Sequence, residues 1–243
     1  MSAPTTDNLM SVTKLEATNE PQRLIWLAMH TCYSPTPDIV CNLSEYRAGQ
    51  AVVDNLLKGG KGHWSPLEQA HASLHLAFVP HDTVQQLTRH RLLSFSVQSF
   101  RYTSKQFEAY DSTPEYLNRL VYFRQANTEY VGRSNSKYMY TQEMLLEDMA
   151  TAHLAVQTYQ RNVKGGMAPE HARGLLPFNV RQHLVAGGNL RAWLHVLDLR
   201  LKADSQPEIQ QLCAQVTDVL SLWCPQILQW YKTNRSGKAL LSP

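Results

Sequence analysis

One stretch of the chain, residues 83–107, carries basic side chains with no Asp or Glu between them. Its basic members are Arg89, His90, Arg91, Arg101 and Lys105. A guanidinium donates paired hydrogen bonds in one plane, which suits phosphate and planar oxyanions. The interspersed Ser and Gln side chains can orient such an anion. The stretch therefore predicts a site for a phosphorylated ligand, and the alternative is a solvated loop whose cations pair with carboxylates elsewhere.

A helix predicted over residues 80–92 would position the first half of this stretch. On such a helix Gln86, Arg89 and His90 fall at i, i+3 and i+4, and so share one face. An amide, a guanidinium and an imidazole would then point in one direction. Residues 94–102 lose the helical pattern and are interpreted as a loop or an edge segment.

The other elements predict an α+β fold. Residues 70–78 alternate apolar and polar, which is typical of a strand with one buried face. Further helices are predicted over residues 20–31, 44–58, 137–163 and 205–223, and a short strand over 120–123. We therefore predict a single domain over residues 1–243, with helices around a small, mainly antiparallel sheet. Residues 1–12 and 234–243 are expected to be mobile tails.

Two residues with capping-box spacing could instead bind a ligand. Ser65 and Glu68 flank Pro66, and this arrangement is typical of the start of a helix. Capping and ligand binding are both consistent with the spacing.

A second predicted helix start lies before Arg200. Gly187-Gly188-Asn189 is predicted to be a turn, with Asn189 capping the helix that follows. Arg200 lies on an apolar face of that helix, which is costly unless the guanidinium meets an anion or a polar ligand. The alternative is an intrahelical pair with Asp204 at i+4.

Composition excludes several classes of function. At 243 residues with 43% hydrophobic content the chain can build a sizeable core, and its net charge of +3 is too small for bulk binding of polyanions. The four cysteines form no CxxC pair, so we expect reduced thiols and a cytoplasmic protein. No apolar run approaches membrane-spanning length. No metal is expected, because His71 and His75 share a strand face without an evident third ligand.

The spacing from Arg89 to Arg101 resembles the signature of the flavin-dependent thymidylate synthases. It reads Arg-His-Arg, two residues, Ser, four residues, Ser, one residue, Arg. The segment from His63 to Glu68 is similar to a second segment of that family, His-x-Ser/Thr-Pro-x-Glu. The resemblance covers residues 20–230 and implies the flavin-dependent thymidylate synthase fold.

The resemblance implies a role for each matching side chain. It places FAD against Ser34, His63, Ser65, Glu68, Arg89, His90, Arg91, Asn189, Arg191 and His195. It places the substrate deoxyuridylate (dUMP) against Gln86, Arg89, Val97, Gln98, Ser99, Phe100, Arg101, Arg173 and Arg200. Arg200 is expected beside the uracil ring as the catalytic residue, where a guanidinium can stabilise negative charge on N3 and the adjacent carbonyl oxygen.

Three positions depart from the family pattern. Many relatives have Asn-Glu where this chain has Ser96-Val97, so any contact of that carboxylate must be replaced here, with Gln98 as one substitute. His195 stands where Asn is expected, and Asp204 where relatives often have His.

The implied reaction is reductive methylation of dUMP to thymidylate. The carbon donor would be 5,10-methylenetetrahydrofolate, with FAD as redox carrier and NADPH as reductant, so that the protein supplies positioning and electrostatics. The resemblance also implies a homotetramer with shared active sites: residues 86–89 and Arg200 would come from one chain, residues 97–101 and Arg173 from its partner. Neither nucleic acid nor a membrane is an expected partner.

The competing hypothesis is a module that binds single-stranded RNA or nucleotides. Phosphate contacts from the basic stretch would combine with base stacking on Phe95, Phe100 and Tyr102. That hypothesis leaves the matches at His63 and Arg200 without a role.

Overall fold

The computed structural model describes residues 9–37, 40–59, 63–132 and 136–238. The chain divides into two compact units. The first contains Met1–Ser11, Leu76–Gln86 and Ser96–Leu184, and the second contains Val12–His75, Leu87–Phe95 and Val185–Pro243. Of the tails expected to be mobile, residues 1–8 and 239–243 lie outside the described residues, whereas Met10 is buried.

Runs of helices are interspersed with short strands that form small sheets, so the predicted α+β class is confirmed. The strands are β1 Ser11–Ala17, β2 His71–Pro80, β3 Ser94–Val97, β4 Thr128–Val131, β5 Lys137–Tyr140 and β6 Arg181–Asn189. The helices are α1 Pro21–Thr31, α2 Glu45–Val52, α3 His81–Leu87, α4 Lys105–Glu108, α5 Pro114–Leu120, α6 Gln142–Lys164, α7 Pro169–Ala172, α8 Leu190–Arg200, α9 Pro207–Trp223 and α10 Pro225–Asn234. A π-helical turn extends α2 over Val53–Leu57, and 3-10 turns cover Ser65–Gln69 and Arg173–Leu175. No helix of the described residues is long and apolar enough to cross a membrane.

Four strands form one sheet in the order β1-β2-β6-β3, and β4 pairs with β5 as an antiparallel hairpin. Strand β3 lies at an edge of the larger sheet, as predicted for residues 94–102. Strands β2 and β6 each continue from one unit into the other along the chain.

The alternation of β2 breaks where the strand enters the first unit. Phe78 has φ 55°, in the left-handed region that non-glycine residues rarely adopt. Both of its backbone groups are bonded: its N–H donates to Nδ1 of His183 (3.3 Å) and its carbonyl accepts from Nη1 of Arg181 (3.0 Å). These contacts satisfy the backbone where the strand changes face, so that Ala77 and Val79 are buried instead of Phe78.

The first unit has its own aromatic core beneath α6. Phe107 and Tyr159 are fully buried with ring centroids 5.2 Å apart, and Phe100 packs against Phe107 at 5.4 Å. Phe100 thereby anchors the segment that follows β3.

The second unit is centred on α8 and its neighbours. Trp193 of α8 is fully buried, and its indole N–H donates to the carbonyl of Ala72 in β2 (3.2 Å). Ile25, Leu212 and Tyr231 from three further helices are fully buried as well. This core fixes α8, whose last residue is Arg200.

Several predicted elements are wrong. Residues 120–123 are not a strand, because α5 runs to Leu120 and only Val121 makes an isolated bridge, to Val180. Residues 137–140 are strand β5, so α6 begins only at Gln142, capped by Thr141. The predicted turn at 187–189 is the end of β6.

Candidate active site

The turn from Arg89 to Leu93 departs from the predicted helix. Helix α3 ends at Leu87, and two tight turns follow, with the N–H of His90 bonded to the carbonyl of Leu87 (3.0 Å) and that of Leu93 to His90 (3.1 Å). The argument that Gln86, Arg89 and His90 share a helical face is therefore wrong. Instead the turn buries His90 and leaves the guanidinium-bearing Arg89 exposed.

A glycine in β6 lets this turn pack closely. A Cβ added to Gly188 would collide with Cδ2 of Leu93, which is buried. Glycine at position 188 thus serves close packing of the β6 backbone against a side chain, and not a turn.

His90 and Arg200 form a direct hydrogen bond within the second unit. Nε of Arg200 donates to Nε2 of His90 over 2.8 Å, so that His90 accepts as a neutral imidazole. Burial, followed by the charges of Arg200, His195 and Arg89, lowers the pKa of His90 to about 4. The His195 ring lies 6.0 Å from the His90 ring, edge to face. A neutral acceptor therefore orients the guanidinium of Arg200.

Arg200 is the C-terminal residue of α8. Asn189 caps the other end, accepting from the N–H of Ala192 over 2.8 Å, as predicted. Because α8 ends at Arg200, Asp204 lies beyond the helix, and the i+4 argument for an intrahelical pair does not hold. Burial lowers the pKa of Arg200 from its usual value, although a guanidinium stays charged in proteins.

Glu68 and Arg191 form an ion pair, with Nη1 of Arg191 donating to Oε1 of Glu68 over 2.5 Å. Both side chains are partly exposed. The capping-box prediction is wrong, because Ser65 begins a 3-10 turn whose start has no side-chain cap, and Glu68 turns toward Arg191. Exposed Ser65 and this polar pair leave the segment open to a ligand.

His63 is held by an exposed tyrosine. Tyr33 Oη lies 3.2 Å from Nδ1 of His63, and the two rings meet edge to face. The neighbouring Ser34 donates its hydroxyl to the carbonyl of Thr36 over 2.9 Å.

All ten side chains expected to contact FAD lie in the second unit. Three arginines of this unit, Arg89, Arg91 and Arg191, carry guanidinium groups that can bind phosphates. Ser65 and Asn189 of the same unit are neutral donors. The chemistry of this donor set fits a dinucleotide with a pyrophosphate.

A cavity of about 550 Å³ lies within the first unit. Of the side chains expected to bind dUMP, it is lined by Val97, Gln98, Ser99, Phe100 and Arg173. Arg101 is not among the lining residues; its Nη2 lies 3.9 Å from Oε1 of Glu170 in α7. The cavity thus brings one hydroxyl and one guanidinium to the same wall.

The turn after β3 fixes Ser99. The Ser99 carbonyl accepts from the N–H groups of Tyr102 (3.1 Å) and Thr103 (3.2 Å), and its Oγ accepts from the N–H of Arg101 over 3.4 Å. The Ser99 hydroxyl hydrogen is therefore available to a ligand oxygen.

Gln98, which was expected as one substitute for the carboxylate that relatives carry at position 97, is bonded to β6. Its Oε1 accepts from the N–H of His183 over 3.2 Å, and its own N–H donates to the carbonyl of His183 over 2.8 Å. The side-chain oxygen already accepts this bond within the sheet, and the substitution by Gln98 stays a prediction. Val97 itself is exposed at the cavity.

Two polar residues of the cavity wall were missed by sequence reasoning. His81 and Gln182 both line it, and Nδ1 of His81 lies 2.6 Å from Oε1 of Gln182. Gln182 lies on β6, a strand that was not predicted, and nothing in the local sequence pairs it with His81.

The aromatic side chains of the basic stretch do not form a stacking surface. Phe100 is buried in the aromatic core, whereas Tyr102 is 81% exposed. The hypothesis of a single-strand-binding module therefore finds no support in this geometry.

The fold and these two sets of side chains define an α+β protein suited to phosphorylated nucleotides. The family model described as "Thymidylate synthase complementing protein" matches residues 14–226. A flavin-dependent thymidylate synthase of Haloarcula marismortui is 32% identical over 246 residues, which cover 94% of this chain and 98% of that protein. One of Halobacterium salinarum is 32% identical over 236 residues, covering 91% and 95%. This chain belongs to the family of flavin-dependent thymidylate synthases.

Solved structures share the fold. Thymidylate synthase X of Helicobacter pylori, crystallised with FAD and dUMP, has a TM-score of 0.68 at 22% identity, over 90% of this chain and 96% of that one. The UMP/dUMP methylase PolB of Streptomyces cacaoi, crystallised with 5-Br dUMP, has a TM-score of 0.69 at 22% identity, over 96% and 97%.

Proposed function

We propose that this protein is an FAD-dependent methyltransferase that converts dUMP to thymidylate. Its carbon donor is 5,10-methylenetetrahydrofolate, and NADPH is the reductant. The proposed type of reaction rests on membership of the family. The observation that carries the assignment of roles is the hydrogen bond from Arg200 to a neutral, buried His90.

Arg200 stabilises the negative charge that develops on the uracil ring. The guanidinium is preorganised, because His90 accepts a hydrogen bond from its Nε. Electrostatic stabilisation of this kind acts most strongly where water is excluded. Bound FAD supplies the hydride chemistry, which no side chain of this site can supply.

The phosphate end of dUMP binds in the cavity of the first unit. Arg173 supplies a charged donor and Ser99 a hydroxyl. Arg101 also binds the phosphate after its ion pair with Glu170 breaks. This exposed pair, at 3.9 Å, costs little to break.

FAD binds to the second unit. Arg89, Arg91 and Arg191 hold its phosphates, and His63, Ser65 and Asn189 contribute neutral hydrogen bonds. Ser34, His90 and His195 border the same set, and Glu68 orients Arg191.

We further propose a homotetramer with active sites built between subunits. The cofactor residues and Arg200 lie in one unit of the chain, and Ser99 and Arg173 lie in the other. Gln86 and Arg89 act with Arg200 of the same chain, and residues 97–101 with Arg173 come from a partner. Support for this arrangement comes from the family's sequence pattern.

An anaerobic turnover experiment tests the reaction. Protein loaded with FAD is incubated with dUMP, methylenetetrahydrofolate and NADPH, and thymidylate is measured by chromatography while flavin absorbance is followed. Thymidylate should form only when all three substrates are present. Reduction of the flavin by NADPH without any thymidylate, in protein that binds dUMP, would contradict the proposal.

A further inference from the structure

A chain of hydrogen bonds runs along the wall of the cavity in the first unit. Oε1 of Gln182 lies 2.6 Å from Nδ1 of His81, and Nε2 of Gln182 donates to the backbone carbonyl of Gln98 over 3.0 Å. Gln182 is only 5% exposed. A buried amide with both ends bonded has one allowed orientation, so this chain is directional.

The direction follows from the acceptor at its end. The carbonyl of Gln98 can only accept, so the amide nitrogen of Gln182 faces it and the amide oxygen faces His81. Nδ1 of His81 must therefore carry a hydrogen. The other ring nitrogen, Nε2, lies 3.1 Å from Nε2 of Gln85, and the ring of Phe178 meets the imidazole edge to face at 5.4 Å.

Gln98, at the end of this chain of hydrogen bonds, directly precedes Ser99. Gln98 is already bonded to His183 through its N–H (2.8 Å) and its Oε1 (3.2 Å). Gln182 adds a bond to the carbonyl of Gln98, and this carbonyl belongs to the peptide group between Gln98 and Ser99. The orientation of that peptide decides where the Ser99 side chain lies in the cavity that Arg173 also lines.

We infer that His81 and Gln182 are positioning residues that hold the Gln98–Ser99 backbone in the conformation that receives the phosphate of the nucleotide. The inference rests on the proposed function, because it deepens the role of the same cavity. Groups that support ligand-contacting residues through hydrogen bonds commonly set binding geometry without touching the ligand.

Two substitutions of His81 separate its ring nitrogens. Asparagine places an amide nitrogen near the position of Nδ1, whereas glutamine places one near Nε2. His81→Asn keeps the donor to Gln182 and should bind dUMP within about twofold of wild type, while His81→Gln should weaken dUMP about 3- to 10-fold, the effect of one hydrogen bond. Calorimetry on FAD-loaded protein measures both, with deoxyuridine as the ligand that lacks phosphate.

The outcomes distinguish the inference from its competitors. Weakening confined to dUMP and to His81→Gln, with an unchanged unfolding midpoint, supports it. The inference is overturned if His81→Gln binds dUMP with full affinity, if both variants lose affinity equally, or if dUMP and deoxyuridine are weakened equally. A loss only in His81→Asn would also overturn it, and would mean a direct contact through Nε2. If His81→Gln does not fold, Gln182→Met tests the same bond to Gln98, and wild-type affinity in that variant overturns the inference. Failure of wild-type protein to bind dUMP would instead refute the proposed function.

Discussion

Nε2 of His90 accepts a hydrogen bond from Nε of Arg200, and the two residues are 110 positions apart in the chain. The contact requires a neutral imidazole, since a protonated His90 would present a donor to a donor. Burial and three surrounding basic groups keep it neutral by lowering its pKa to about 4. The residue assigned to charge stabilisation is thus oriented by a partner that cannot easily take up a proton.

Replacing Arg200 by alanine should separate cofactor binding from turnover. We expect the variant to bind FAD with near wild-type affinity and to lose turnover by about 10²–10³-fold, the usual effect of removing one preorganised charge-stabilising donor. Single-turnover kinetics on FAD-loaded protein measures the loss.

The matched control is Arg191→Ala, because Arg191 is assigned to FAD and not to the uracil ring. It should weaken FAD binding yet retain turnover once saturated with flavin. Normal turnover in a folded Arg200→Ala protein would show that the assigned role is wrong.

His90 should make stability depend on pH below neutrality. Its pKa is about 4 in the folded protein against 6.5 for an ordinary histidine, so between these values the unfolded chain binds more protons. The stabilisation is complete above pH 6.5 and is lost as pH falls toward 4, by about 3 kcal/mol at most. Denaturant unfolding measured at several pH values over this range quantifies the effect.

His90→Gln isolates this contribution, because glutamine offers an oxygen to Arg200 but does not titrate. The variant should lose stability less steeply than wild type as pH falls from 6.5 to 4. His71→Gln, which replaces an exposed histidine at the start of β2, is the control and should follow wild type. Identical pH profiles for His90→Gln and wild type would refute the assignment.

Arg173 and Arg101 should differ in their effects on substrate binding. Arg173 lines the cavity, so Arg173→Ala should weaken dUMP by about 1.5–3 kcal/mol, the range for a lost charged hydrogen bond, and hardly affect deoxyuridine. Arg101 must first leave Glu170, so Arg101→Ala should weaken dUMP less. Calorimetry with both ligands decides the order, and equal weakening of dUMP and deoxyuridine in either variant argues against a phosphate contact.

No cysteine should be essential for turnover. Cys41, Cys213 and Cys224 are buried, and burial raises the pKa of Cys213 to about 12, so this thiol is not a nucleophile near neutral pH. Alanine at each of the four cysteines should leave more than about a tenth of wild-type activity, since a reactive cysteine would need a lowered pKa. Complete inactivity of one well-folded variant would favour a covalent mechanism.

Local signals predicted several of the helix starts. Pro21, Ser44 and Asn189 mark the starts of α1, α2 and α8 in the sequence, and the structure has helices there because caps act within one turn. Helix α1 has no side-chain cap, and Glu20 adopts a left-handed conformation immediately before it.

Features that depend on distant residues escaped prediction. Helix α3 ends at Leu87, and Leu93 then packs against Gly188, which lies far along the chain. The same glycines resemble a turn in sequence, which concealed strand β6 and with it Gln182. His90 was recognised through the family signature, but its bond to Arg200 could not be deduced from spacing.

Shared active sites would let two impaired variants restore each other, with activity measured at a dUMP concentration near the wild-type dissociation constant, where Arg173→Ala binds little dUMP. In the proposed tetramer one subunit supplies Arg200 and another supplies Arg173. Arg173→Ala and Arg200→Ala are each purified, mixed in equal amounts, dissociated and reassembled. A site is intact when its Arg200 comes from the Arg173 variant and its Arg173 from the Arg200 variant, so random pairing makes roughly a quarter of sites intact in a symmetric oligomer.

Activity per site should therefore rise from near zero toward about a quarter of wild type, if sites act independently. The control is each variant dissociated and reassembled alone, which should keep its own low activity. A chain that built its whole site by itself could never form an intact one in the mixture. Mass spectrometry of the reassembled sample must show mixed oligomers, because persistent inactivity in their presence would refute the sharing of sites while leaving the enzymatic assignment in place.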